Sequence, residues 1–193
     1  DGGWQPRESP GLDGFKGLLR VAVGDANNDG FPDLAAVYAG GVDFIAGAAD
    51  GFAERTKLCE GAFADAAWVD FDHDYDLDLL AVGQDQVLLR NNGDGTYLDV
   101  SDKFPFKKGP ARAATWLELE EDNGNDIVIA YSDELVVFED RKLSMFAPHA
   151  VEAFDVGSGA ARLDVFDLNH DGFLDGVLTT ESGSRVAENH EGD

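Results

Sequence analysis

Short apolar and small-residue runs alternate along the chain with acidic or glycine-rich turns, and no stretch repeats with the 3.6-residue period of an amphipathic helix. The pattern predicts strands. An apolar run precedes each acidic segment, as at 18–23 and 111–117. A β-rich run follows it, at 34–38, 79–82, 127–131 and 177–180. A third short strand is expected at 42–46, 87–90 and 135–138, and a fourth at 52–55 and 97–100. Turn residues separate them, including Ala39-Gly40-Gly41 and the Asn-Asn-Gly-Asp-Gly run at 91–95.

The acidic segments are copies of one another. They begin at Asp25, Asp70, Glu118 and Asp167, at spacings of 45, 48 and 49 residues. Four units of this length, approximately 15–60, 61–108, 109–157 and 158–193, account for nearly the whole chain. Four short strands per unit at a period in the forties is the pattern of propeller blades. The fold expected is therefore an all-β propeller of four antiparallel blades, or a fragment of a larger propeller. An elongated β-solenoid competes with it, although solenoid repeats are usually shorter. The last unit stops after its third strand, near 185–187, and the segment around Trp4 resembles the entry to an outer strand at Tyr97. Residues 1–14 either close the last blade of a four-blade ring, or the chain is cut from a longer array.

Charge narrows the partners. The chain has 193 residues and carries 39 acids against 14 bases, for a formal net charge of -25. Such a surface repels nucleic acid and anionic lipid. Its 44% hydrophobic content is too high for a disordered acidic tail. No apolar run is long enough to span a membrane. The single cysteine, Cys59, excludes an internal disulfide and reads as a half-buried spacer.

In three copies, oxygen-bearing side chains occupy loop positions 1, 3, 5 and 9. They are Asp25, Asn27, Asp29 and Asp33; Asp70, Asp72, Asp74 and Asp78; and Asp167, Asn169, Asp171 and Asp175. Alternate carboxylates on a tight turn converge and repel unless a cation sits among them. Calcium accepts six to eight oxygens in a flexible cage, which the backbone carbonyl of position 7 (Phe31, Asp76, Phe173) and water would complete. Magnesium, stricter in geometry, is the second choice, and no set of ligands suits zinc. About three ions are expected. The fourth copy, with Glu118, Glu120, Asp122 and Asp126, has longer acids and no glycine at position 6, and is a weak site. Gly30 and Gly172 at position 6 allow a left-handed turn, whereas Tyr75 in the second loop implies strain there. An EF-hand would need a bidentate Glu at position 12; here that position holds Ala36, Ala81 and Leu178, and the flanks are strand-like.

The Asp-x-Asn-x-Asp-Gly-x-x-Asp-Leu pattern, with Asn-Asn-Gly-Asp-Gly-Thr-Tyr at 91–97, resembles the FG-GAP/VCBS repeat family. That family includes the calcium-binding blades of integrin α-subunits and compact bacterial surface proteins, and the match is closer to the bacterial type. The Phe-Gly/Gly-Ala-Pro signature is absent or eroded here. The resemblance implies an extracytoplasmic, adhesive or ligand-binding protein.

Other residues read as structural. Trp68 and Trp116 share one register two positions before their loops, which implies core positions. Trp4, Phe52 and Tyr97 read as packing residues. His73 and His170, at loop position 4, are expected to point outward, and Lys107 and Lys108 to be solvated. No nucleophile–base arrangement or phosphate loop stands out. The expected function is a non-enzymatic, calcium-binding module that engages a protein or glycan. The alternatives are an architectural segment of a larger surface protein, or a hydrolase or lyase with a carboxylate in the central channel. Asp43, Asp65 and Asp85 are the acids outside the loop register that could serve it.

Overall fold

A computed structural model describes residues 12, 16–53, 55–119, 124–151 and 154–190. The chain forms four antiparallel sheets arranged as the blades of a propeller. Blade one comprises β1 (Leu18–Gly24), β2 (Asp33–Tyr38), β3 (Gly40–Ile45) and β6 (Thr56–Gly61). A small hairpin, β4 (Gly47–Ala48) and β5 (Gly51–Phe52), interrupts it. Blade two contains β7 (Phe63–Val69), β8 (Asp78–Gly83), β9 (Gln86–Asn91) and β10 (Tyr97–Asp99). Blade three contains β11 (Ala111–Leu117), β12 (Asp126–Tyr131), β13 (Leu135–Asp140) and β14 (Phe146–Ala150). Blade four has β15 (Ala161–Phe166), β16 (Asp175–Thr180) and β17 (Gly183–Ala187) among the described residues. The only helical element described is a 3₁₀ turn, Ser101–Lys103.

The expected strand order holds, with two departures. The outer strand of blade one is 56–61 rather than 52–55, because 51–52 folds back on 47–48. Blade three gains an outer strand at 146–150 that its proline-containing sequence did not announce. Trp4, and with it most of the segment proposed to close the last blade, lies outside the described residues.

Between consecutive blades the side chains form one buried cluster each. Ala35, Val37, Trp68 and Leu79 join blades one and two. Val69, Leu80, Ile127 and Phe138 join blades two and three. Ala113, Val128, Leu163 and Leu178 join blades three and four. β8 and β12 are buried along their whole length, which explains their uninterrupted apolar sequence. The join between blades four and one is different. Arg20 Nη2 donates to Ala161 O at 2.6 Å, yet Val21, Val23 and Phe166 stay 42%, 63% and 45% exposed.

The two tryptophans of equal register part company here. Trp68 is buried because Gly24 of blade one leaves it room: a Cβ on Gly24 would lie 2.9 Å from Trp68 Cδ1 and 2.8 Å from Leu77 Cδ1. The matching position of blade two is Val69, which itself fills the next interblade core. Trp116 therefore finds no slot and remains 45% exposed, contrary to the core role its register implied. Phe52 and Tyr97 do pack on cores, Tyr97 against Phe44 and Trp68. Cys59 is half-buried, and burial pushes its thiol up to about 11, which leaves it unreactive.

Candidate metal loops and the axial cavity

Each acidic loop links the inner strand of a blade to its second strand. Three loops share one hydrogen-bond frame. The position-1 carboxylate accepts the amides of positions 5 and 6: Asp25 from Asp29 and Gly30, Asp70 from Asp74 and Tyr75, Asp167 from Asp171 and Gly172. The position-5 carboxylate accepts the amide of position 7, so that Asp29, Asp74 and Asp171 hold Phe31, Asp76 and Phe173. Asn27 and Asn169 each donate to the position-5 acid of their own loop.

Position 9 does something else. Asp33, Asp78 and Asp175 are fully buried, and Asp126 nearly so. One oxygen accepts the amide of loop position 2, from Ala26, Phe71, Leu119 or Leu168. The other accepts an amide at the end of the third strand, from Gly47, Asn91, Asp140 or Asn189. This aspartate staples each loop to its own blade in all four copies, including the degenerate one. Burial pushes Asp33 up and Asp78 up to about 7, while the Asn189 amide holds Asp175 down at the less crowded fourth blade.

The third-strand end also reaches the preceding blade. Asn91 Nδ2 donates to Ala26 O at 2.7 Å, and Asn189 Nδ2 to Leu119 O at 3.1 Å. Blade three has Asp140 at this place, which cannot donate. Asn125 takes over, with Nδ2 donating to Asp70 O at 2.7 Å, and Asp140 Oδ2 instead meets His73 Nε2 at 2.6 Å. His73 thus points into the blade joint and not outward, whereas His170 is exposed. At the matching place in blade one stands Gly47, where a Cβ would collide with Pro32 O.

Among the described residues, three carboxylates converge within 4.8 Å only at Asp70, Asp72 and Asp78. Asp72 Oδ1 there is buried and has no hydrogen-bond partner. Burial, and then the neighbouring Asp74 charge, raise the Asp72 pKa. A hard dication fits this donor set: oxygens at such separations suit a calcium shell, and an orphaned oxygen needs a positive partner. Loops one and four carry an amide at position 3 and one carboxylate fewer. Glu120 and Asp122 of the weak loop lie outside the described residues, and Glu118 is exposed.

Tyr75 adopts φ 72° where Gly30 and Gly172 have φ 87° and 97°. Its ring is 88% exposed and forms no core contact worth keeping. Tyr75→Gly is therefore expected to raise stability by about 1 kcal/mol. Denaturant unfolding checks this, and a loss of stability would contradict the strain.

The inner strands line an open cavity of about 280 Å³ on the propeller axis. Five residues before each loop stand Arg20, Asp65, Ala113 and Arg162. Arg20 Nε lies 3.8 Å from Asp65 Oδ1, and Asp65 accepts the amides of Ala114 and Ala66. With the Arg20 bond to Ala161, this pair touches all four blades and forms one end of the cavity. Burial pushes the Asp65 carboxyl up to about 6 from its ordinary 3.8, against the pull of the Ala114 amide and Arg20. The folded chain then holds this proton more tightly than the unfolded one. That contribution to stability is complete below about 3.8 and disappears as pH rises through about 6. Asp65→Asn fixes the neutral form, and is expected to gain roughly 1–3 kcal/mol over the wild type at about pH 7.5 and nothing near pH 4. Urea unfolding at the two pH values tests it; a variant weaker than wild type at the higher pH sinks the claim.

Asp43 and Asp85 do not line the axial cavity with Asp65. Asp43 accepts the Tyr38 hydroxyl at 2.9 Å, and Asp85 accepts the Ala62 amide at 2.8 Å. Lys107, expected to be solvated, pairs with Asp133 and Glu134 at 2.8 and 2.7 Å, while Lys108 is exposed. No helix is long and apolar enough to cross a membrane among the described residues.

No family model matches the chain, and no curated protein sequence matches it. Among solved structures, the chain is similar to an Agrocybe aegerita lectin whose structure concerns specific recognition of non-reducing terminal N-acetylglucosamine. The two share 19% identity at a TM-score of 0.55, over 89% of this chain and 49% of the other. The chain thus spans about half the length of that lectin. At this identity the likeness speaks to fold alone, and by fold the chain is a four-bladed β-propeller.

Proposed function

We propose that the chain is a calcium-binding, non-enzymatic propeller module that holds a glycan or protein ligand in the extracytoplasmic space. The observation that carries the metal reading is the buried, partnerless Asp72 Oδ1 beside Asp70 and Asp78. Asp70, Asp72, Asp74 and Asp78 would hold one ion. Asp25, Asn27, Asp29 and Asp33, and likewise Asp167, Asn169, Asp171 and Asp175, would hold two more. Calcium would neutralise carboxylates that burial and mutual repulsion otherwise penalise, and so brace the loop face. Phe31, Asp76 and Phe173 are the candidates for a backbone oxygen.

Between glycan and protein, the glycan is favoured by what the structurally similar lectin recognises, and the location rests on the resemblance to surface-protein repeats. A glycan array probed with the intact chain in calcium and in EDTA tests the reading. Calcium-dependent binding of defined glycans supports it. Binding to none leaves the architectural alternative.

A hydrolase or lyase is the second reading, favoured by Asp65, a carboxyl of raised pKa on the axis. Both of its oxygens are engaged by Arg20 and strand amides, however, which suits a plug better than an acid. Release of new reducing ends from a bound glycan, lost in Asp65→Asn, would establish the enzyme instead.

A further inference from the structure

The axial cavity has properties that the loops do not explain. Each of the four inner strands lies at the edge of its sheet and pairs on one side only. Its other edge therefore presents amides and carbonyls to the axis. Three of these groups are satisfied from within, Ala161 O by Arg20 and the Ala66 and Ala114 amides by Asp65. The others require hydrogen-bonding partners, either water or a ligand.

The charges in the cavity cancel. Its ionic side chains are Arg20, Asp65, Arg162 and Asp164, in a chain of net charge -25. Arg162 grips Asp164 through Nε at 2.8 Å and Nη2 at 2.7 Å. Both side chains remain accessible, at 66% and 37%, so donors and acceptors are left over for a ligand. A balanced cavity offers no net attraction to an anion, and the whole chain repels one.

Trp116 supplies an apolar wall. Displaced from the core by Val69, it presents an indole that is 45% exposed on the same cavity. The C–H groups of a sugar ring carry slight positive charge and pack on the negative face of such a ring. The volume of about 280 Å³ lies at the low end of small-molecule sites, which limits the occupant to about one sugar unit.

We infer that the axial cavity binds a single uncharged pyranose residue, stacked on Trp116 and hydrogen-bonded by the Arg162–Asp164 pair and the free strand edges. The inference rests on the glycan reading above and adds the site and the ligand class.

Titration of the intact chain in calcium, with tryptophan fluorescence and saturation-transfer NMR, tests it. The probes are N-acetylglucosamine, glucose, galactose and mannose, with N-acetylneuraminic acid as the charged control. At least one neutral sugar is expected to bind with a dissociation constant of about 1 mM. Trp116→Ala and Asp164→Asn should each weaken that binding about tenfold or more, while Trp116→Phe restores most of it. Leu143→Ser, on an exposed turn of blade three, should change nothing. Melting curves confirm that the variants fold, which exposed positions allow. Glycan-array binding that survives Trp116→Ala unchanged overturns the axial site and leaves the glycan reading standing. Preference for the charged sugar overturns the ligand class. Absence of binding by any saccharide, on the array or in titration, overturns both.

Discussion

Transfer from excess calcium to EDTA is expected to lower the melting temperature by roughly 16–32 °C. An ion that binds only the folded loop at a hundred times its dissociation constant contributes about 2.7 kcal/mol. Three independent loops would contribute about 8 kcal/mol, and for a chain of this size 1 kcal/mol moves the melting temperature by about 2–4 °C. The unscreened chain also suffers most without the ions, since its net charge is -25. Calorimetry in calcium, magnesium and EDTA gives the measurement. The order expected is calcium above magnesium above EDTA, because magnesium is less tolerant of an irregular oxygen cage. An unchanged melting temperature in EDTA removes the metal from the protein's account altogether.

Asp78→Ala is expected to cost about 3–5 kcal/mol even without calcium, and more with it. Two buried amides, Phe71 N at 3.1 Å and Asn91 N at 2.7 Å, lose their acceptor, and each orphaned amide costs about 1–3 kcal/mol. The raised pKa of Asp78 works against this, because the charged form is already penalised by burial. The amides outweigh it, since alanine can satisfy neither. Asp72→Asn provides the contrast. Its Oδ1 has no partner to lose, so in EDTA the substitution should be neutral or slightly stabilising, and only in calcium should it destabilise. Urea unfolding of both variants in both conditions separates a staple from an ion ligand. Equal behaviour of the two would refute the distinction between positions 3 and 9.

Much of this was legible in the sequence. The four repeats and their strand order followed from the spacing of the acidic loops and the apolar runs on either side. Position 6 of the second loop is strained, as its tyrosine suggested. What sequence could not show are the relations between blades. Trp68 and Trp116 look equivalent until the residue facing each is known, Gly24 for one and Val69 for the other. His73 and His170 share a loop position, but only His73 has an aspartate, Asp140, across the joint. Position 9 read as one more cation ligand, whereas its fourfold pairing with two amides gives it a structural task that spacing alone does not encode. Asp65 stood out only as an acid off the repeat register; its place on the axis depends on four strands meeting.

Three asparagine clamps between blades point backwards along the chain. Asn91, Asn125 and Asn189 bond carbonyls that lie 65, 55 and 70 residues earlier. A nascent chain can therefore make each acidic loop well before the residue that fastens it to its neighbour has been synthesised. Among the described residues no hydrogen bond from another blade reaches Asp167–Asp175.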